Sequence, residues 1–173
     1  NVSIENVPSK FDGKILVPFA IESELSGVGK RVTKDDAIWY HNTIELNRSV
    51  TKGEALLNFG AVDWQCDVFV NGQKVGRHEG GFDPFSFNIS KFLKKGAKQD
   101  IAIRVWDPSS EGTQPRGKQI LNPHGIWYTP VSGIWQTVWL ESVPTSHIVN
   151  TKNTVHFDEK ELHLDINVAE SKV

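Results

Sequence analysis

The sequence predicts an all-β chain folded as a β-sandwich or jelly roll, followed by fresh strands of a second β unit. Apolar residues recur at every second position in run after run, and turn-forming residues separate the runs. Only one short stretch has helical character.

The runs come in this order. Ile38, Tyr40, Ile44 and Leu46 fall on one side of an extended segment, and Trp39, His41, Thr43 and Glu45 on the other. Cys66, Val68 and Val70 alternate with Asp67 and Phe69. Asn71-Gly72 then predicts a two-residue hairpin, because both central residues of a type I′ turn need positive φ. Gly80-Gly81 and Asp83-Pro84 mark a corner before Phe85, Phe87 and Ile89, which alternate with Ser86 and Asn88. Residues 91–95 read as a single helical turn, opened by Ser90 as N-cap and closed by Gly96. Ile101, Ile103 and Val105 alternate with Ala102 and Arg104, and Ile134, Val138 and Leu140 oppose Trp135, Thr137 and Trp139.

At Val143-Pro144 the rhythm breaks. Residues 147–149 and then Leu162, Leu164 and Ile166 read as new strands around a charged turn at 158–160. Residues 1–144 are therefore read as one domain. Residues 145–173 are read as the start of a second, because about thirty residues cannot close a sandwich alone, or else as strands that pack back on the first.

Composition excludes several functions. The chain has 173 residues, 19 Lys+Arg against 21 Asp+Glu and a formal charge of −2, so no basic field attracts nucleic acid. A single cysteine, Cys66, rules out an internal disulfide and the paired-Cys zinc patterns; alternation puts it on the core side of its strand. No apolar stretch approaches the ~20 residues of a membrane-spanning helix. With no Met at all, the chain reads as a piece of a longer or processed protein.

Two loops are longer than connectors need be. Residues 107–130 form a 24-residue excursion carrying Arg116, His124 and Trp127, and residues 18–34 form a Ser- and Gly-rich stretch with Glu22 and Glu24. Structureless loops of that length in a compact domain are usually functional or disordered, and Trp127 and Tyr128 favour packing over disorder.

Four ordered blocks carry a family resemblance. They are Leu57-Asn58-Phe59-Gly60-Ala61-Val62-Asp63-Trp64 with Val68-Phe69-Val70-Asn71-Gly72; Gly80-Gly81-Phe82-Asp83-Pro84-Phe85; Val105-Trp106-Asp107-Pro108 with Gln114-Pro115-Arg116-Gly117-Lys118-Gln119; and the run from Gly125 to Glu141. Together they resemble the amino-terminal sugar-binding domain of glycoside hydrolase family 2, which includes β-galactosidases and β-glucuronidases. The resemblance implies a jelly-roll (galactose-binding-like) sandwich, then an immunoglobulin-like sandwich, of which residues 145–173 are the truncated start, then a (β/α)₈ barrel carrying the chemistry. Family members usually begin with an extended segment before the strand at residues 15–19. Residues 1–10 do not supply its pattern, so an edge strand is missing or replaced.

The implied parent is a retaining, exo-acting β-glycosidase, β-galactosidase-like. This piece is its non-catalytic first domain, inactive alone, bracing the barrel and lending a loop to the sugar pocket. A retaining glycosidase needs two carboxyl groups about 5 to 5.5 Å apart, and in the family both lie on the barrel. By resemblance, Asp107 takes the position from which the first domain lends an acidic side chain to the pocket, where a carboxylate can accept two hydrogen bonds from vicinal sugar hydroxyls. Glu22, Arg116, His124 and Trp127 are further substrate-binding candidates. Asp63, Asp67 and Asp83 read as structural turn or strand-end residues, and Asp35-Asp36 as a solvated pair. No metal site and no cofactor is expected in this piece, since no oxygen cluster for a hard cation is assembled. The expected partners are a carbohydrate substrate and the downstream barrel and immunoglobulin-like domains of the same chain, with no nucleic acid and no membrane span. A periplasmic or secreted location fits enzymes that meet polymeric glycans. An autonomous carbohydrate-binding module and a structural or adhesion sandwich are the competing readings. Asn47-Arg48-Ser49 and Asn88-Ile89-Ser90 match the glycosylation triplet, a pattern frequent by chance.

Overall fold

The computed structural model describes residues 7–46 and 53–169. Residues 1–6 of the opening segment, the Asn47-Arg48-Ser49 triplet and residues 170–173 lie outside the described residues.

Eleven strands follow one another among the described residues: β1 (Ile38–Glu45), β2 (Glu54–Phe59), β3 (Val62–Asp63), β4 (Gln65–Val70), β5 (Gln73–Glu79), β6 (Phe85–Asn88), β7 (Lys98–Trp106), β8 (Gly133–Ile134), β9 (Val138–Val143), β10 (His147–His156) and β11 (Glu161–Ala169). All pair antiparallel, in a four-stranded sheet of order β1-β7-β4-β5, a three-stranded sheet β6-β2-β9, a short pair β3-β8 and the hairpin β10-β11.

The two larger sheets close over one core, as the alternation predicts for a sandwich. Tyr40, Cys66, Val68, Val70, Ile103 and Val105 of the first sheet meet Ala55, Leu57 and Phe59 of the second. Cys66 is fully buried, and desolvation pushes its thiol up to about 12. The Asn71-Gly72 turn has φ of 51° and 79° between Val70 and Gln73, the two-residue geometry its sequence demands. Asn71 does more than turn the chain. Its Nδ2 donates to Phe92 O (2.9 Å) and Gln99 Oε1 (2.7 Å), and its Oδ1 accepts from Asp100 N (3.1 Å).

The outer face of the four-stranded sheet departs from simple alternation. Phe69, Ala102, Asp67 and Arg104 should face water, yet all are buried. The segment before β1 lies against this face: Phe11 stacks on His41, and Trp106 Nε1 donates to Lys34 O (2.6 Å). Trp39 tilts against Phe69 at 5.5 Å. Asp67 is held between Arg77, which donates from Nε and Nη2 at 2.8 and 2.9 Å, and Lys74 at 2.7 Å. Burial works against its charge, but these two cations win and keep the carboxyl below the usual range.

Three local expectations are corrected. Residues 15–19 form no strand. The backbone turns there, with Leu16 N donating to Ser26 O and Phe19 N to Leu16 O, while Pro18 has no N–H to offer a ladder. The helical turn at 91–95 is instead a 3₁₀ turn over Ser90–Phe92 with Ile89 at the cap position, because the Ser90 hydroxyl is used elsewhere, accepting from Ala55 N at 2.9 Å. The run through residues 134–140 is split into β8 and β9. Between them Trp135 Nε1 donates to Gly81 O and Thr137 O accepts from Gly60 N.

Replacing Asn71 with Ala removes the three side-chain bonds and puts a β-carbon residue with no compensating bond in the left-handed region. A loss of about 1–3 kcal/mol in denaturant-unfolding stability is expected, with Asn71→Gly intermediate because it relieves the backbone strain only.

Candidate functional site

Both long loops are ordered, and they meet at one residue. The first is pinned by a 3₁₀ turn over Glu24–Ser26, where Leu25 N donates to the Ser23 cap hydroxyl (3.2 Å) and Gly27 closes the turn at φ 81°. The Ser26 side chain, almost fully buried, donates to Ser23 O (2.7 Å) and accepts from Val28 N (3.1 Å). These bonds fix Glu22, whose Oε2 accepts from Ser132 N at 3.0 Å.

Asp107 stands immediately beyond β7. Val105 faces the core and Trp106 the outer face, so alternation turns Asp107 inward. It is 4% exposed. One oxygen accepts from Ser109 N (2.7 Å) and the other from the Ser132 hydroxyl (2.6 Å). In this state the carboxylate braces the base of the loop, with both oxygens engaged by groups of the domain itself.

A third carboxylate joins these two. Asp63, at the end of β3, is also 4% exposed, and its Oδ2 accepts from Gln119 Nε2 at 3.4 Å. Gln119 Oε1 in turn accepts from Val131 N at 2.5 Å, so the same amide ties the long loop to the segment before β8 that carries Ser132. Tyr40 completes the floor, its hydroxyl accepting from Ile134 N at 3.2 Å.

Gathering like charges away from water raises every carboxyl in the group. Burial lifts Asp63 to about 7, with the charges of Asp107 and Glu22 adding to the rise and Gln119 opposing it. Burial also raises Asp107, against the bonds from Ser132 and Ser109. Glu22 rises for the same reason, with Ser132 opposing and Asp107 adding. Desolvation pushes the Tyr40 phenol up to about 12.

Glu22 differs from its neighbours in one respect. Its Oε1 is shielded from water and has no hydrogen-bond partner among the described residues. The residue lines a shallow cleft of about 290 Å³ with Ala20, Ser23, Thr129, Pro130 and Val131. An acceptor of this kind, already stripped of water, has the capacity to accept one more hydrogen bond.

The structure therefore brings Glu22 and Asp107 together and leaves the other three candidates apart from them. Arg116 Nη1 donates to Gly112 O (3.2 Å), bracing its own loop. His124 Nδ1 lies 2.8 Å from Asn122 O in an exposed turn. Trp127 is 37% exposed between the still more open Ile126 and Tyr128. Asp67 is structural, as its sequence position suggests. Asp63 is not the simple strand-end residue expected, and Ser132 and Gln119 were not anticipated as its companions. One signal for Asp63 was present: a β-carbon built on Gly81 would lie 2.6 to 2.7 Å from its carboxyl atoms, so the Gly80-Gly81 corner is also the room this side chain requires. Among the described residues no group of three or more His, Cys, Asp or Glu is arranged to hold a metal ion, and no helix is long and apolar enough to cross a membrane.

Comparison with known proteins matches residues 6–144 to the model described as glycosyl hydrolases family 2, sugar binding domain. The chain is 33% identical over 132 residues to a protein of Formosa agariphila, covering 76% of the chain and 15% of that relative. It is 30% identical over 111 residues to a β-galactosidase of Thermoanaerobacter pseudethanolicus, covering 64% of the chain and 14% of the relative. The chain thus spans about one seventh of the length of these relatives. Among solved structures it superposes on a Bacteroides uniformis β-glucuronidase with a TM-score of 0.54 at 27% identity, over 65% of this chain and 12% of that one. A Ruminococcus gnavus β-glucuronidase shares the fold at a TM-score of 0.69 and 19% identity, over 90% of this chain and 28% of that one.

The raised Asp63 has a consequence for stability. The folded state binds its proton more tightly than the unfolded chain does, so between the unfolded value of 3.8 and about 7 stability falls as pH rises. Asp63→Asn removes that loss. Its melting temperature relative to the parent is expected to rise from pH 5 to pH 8, by an amount equivalent to a few kcal/mol at most.

Proposed function

The chain belongs to glycosyl hydrolases family 2, as its amino-terminal sugar-binding domain, and we propose that it is the non-catalytic wall of a retaining, exo-acting β-glycosidase that cleaves O-glycosidic bonds. The two catalytic carboxyl groups lie on a downstream barrel in this reading. Residues 145–173 open an immunoglobulin-like sandwich between the two. The piece alone is inactive.

The observation that carries the reading is the orphaned Glu22 Oε1 in a loop-lined cleft. A desolvated carboxylate oxygen costs free energy unless a donor reaches it, and a sugar hydroxyl in a pocket shared with the barrel is such a donor. Glu22 is the direct contact here. Asp107 and Ser132 act as positioning residues that can exchange one hydroxyl for another, and the exposed Trp127 and His124 face the glycan or barrel at the rim. Three clustered carboxyls favour a neutral sugar, of the β-galactoside kind, over a uronate at this point of the pocket, because an added negative charge would be repelled.

The second domain has its own support. Hairpin β10-β11 pairs with no other strand among the described residues. Its register puts Ile148, Val155, Leu162, Leu164, Ile166 and Val168 on one face, and each is at least 48% exposed. With only Thr151 and Asn153 polar among the residues paired across it, such an exposed apolar face calls for a covering sheet.

Two measurements test these statements. In the full-length enzyme, Glu22→Gln is expected to lower kcat/KM on an aryl β-galactoside about ten- to a hundredfold with little change in melting temperature, the scale of one charge-assisted hydrogen bond; unchanged kcat/KM refutes the contact. A chain ending at residue 144 is expected to bind less of a hydrophobic dye than the 173-residue chain. Extension through the whole second sandwich is expected to abolish the difference.

A further inference from the structure

A second cleft lies outside the carboxylate group. Trp64, Trp106, Pro108, Thr113, Gln114 and Pro115 line a space of about 390 Å³. Trp106 is on the outer face of its sheet and Asp107 on the inner, so this cleft and the Glu22 cleft are reached from different sides of the loop base.

Its walls are held in place by bonds that do not cross it. Trp106 Nε1 donates to Lys34 O (2.6 Å), which fixes the indole. Gln114 Nε2 donates to Ser109 O (2.7 Å), and Arg116 Nη1 to Gly112 O (3.2 Å), which fix the loop opposite. Gly112 has no room for a side chain, since a β-carbon there would overlap Gln114 Oε1 and the Pro108 ring. Among the described residues the Thr113 hydroxyl has no hydrogen-bond partner, and Gln114 Oε1 accepts from none. Every lining residue is uncharged. Of the charged residues that flank the lining in sequence, Glu111 is paired with Lys34 at 2.9 Å, Arg116 donates to Gly112 O, and Asp63 and Asp107 are buried on their own partners.

From this combination we propose that the Trp64–Trp106 cleft is an accessory glycan subsite that takes a neutral pyranose unit, separate from the pocket to which Glu22 contributes. The indoles offer flat apolar faces for the axial C–H side of a sugar ring, while Thr113 and Gln114 offer a hydroxyl and an amide oxygen to its equatorial hydroxyls. With no cation or anion in its lining, the cleft gains nothing from a charged sugar, whose carboxylate would lose water without a partner. The subsite holds a glycan chain at a distance from the bond to be cut. It rests on the family reading only in the choice of sugar as ligand.

The test uses the full-length protein and a thio-linked β-1,4-galactotetraose, which a glycosidase cannot cleave, beside tetragalacturonate as the anionic probe. Hydroxyl-radical footprinting read by mass spectrometry is expected to show saturable protection of Trp64 and Trp106 by the neutral probe and none by the anionic one. Trp64→Ala is expected to weaken that binding roughly three- to tenfold. Thr113→Glu, at an exposed loop position where folding is not at stake, should weaken it too. Equal protection by both probes, no protection by either, or indoles already shielded without sugar because a downstream domain fills the cleft would each overturn the proposal. Turnover of an aryl β-galactoside on the same preparation separates the two readings. A protein that protects Trp64 but does not turn over the aryl β-galactoside refutes the β-galactoside reading and leaves the subsite standing.

Discussion

Two carboxylates from loops far apart in the chain meet at one buried residue, and the rest of the site depends on how that meeting is satisfied. Ser132 is fully buried and gives its peptide N–H to Glu22 and its hydroxyl to Asp107. Without those two donors the carboxylates would face each other with neither water nor partner, and the arrangement would open. With them, the early loop, the long loop after β7 and the strand at Gly133–Ile134 become one body. The cost of crowding falls on Asp63, which holds its proton to about neutral pH, and on the Glu22 oxygen left over.

Much of this was readable in advance, and the limits have physical causes. Period-two alternation is a property of strands buried on one face, and it located β1, β4, β6 and β7 because their inward residues are core residues. It misjudged the outer face because side chains there cover one another: Trp39 packs on Phe69, Arg77 and Lys74 hold Asp67, and a segment with no strand pattern of its own brings Phe11 onto His41. The Asn71-Gly72 turn was legible because its backbone geometry admits few residues. Ser90 was misread as a helix cap because a serine hydroxyl serves a cap and a neighbouring strand equally well, and here Ala55 N takes it. Asp107 and Glu22 were found through family resemblance; no local pattern announces that two acids lie either side of a serine in the fold. Asp63 was passed over because strand-end aspartates are common, and only the tight approach of Gly81 distinguishes this one.

The family membership and the bare hairpin bear on the same question from two directions. The matched domain ends where the β10-β11 hairpin begins, and that hairpin carries apolar side chains on a face that nothing among the described residues covers. On the outer face of the four-stranded sheet, by contrast, residues before β1 pack against His41 and Trp106. The molecule thus separates a sandwich whose two sheets cover one core from a pair of strands whose apolar side chains stay open to solvent.

The buried Cys66 gives this chain an experimental convenience. Its sulfur lies at zero exposure in the middle of the sandwich and ionises only near pH 12, so thiol-directed reagents should pass the native molecule by. A cysteine engineered at an exposed position such as Tyr128 would then be the only reactive handle in residues 1–173. A fluorophore attached there could follow the tip of the long loop as glycan or neighbouring domain approaches, with no need to remove the native thiol first.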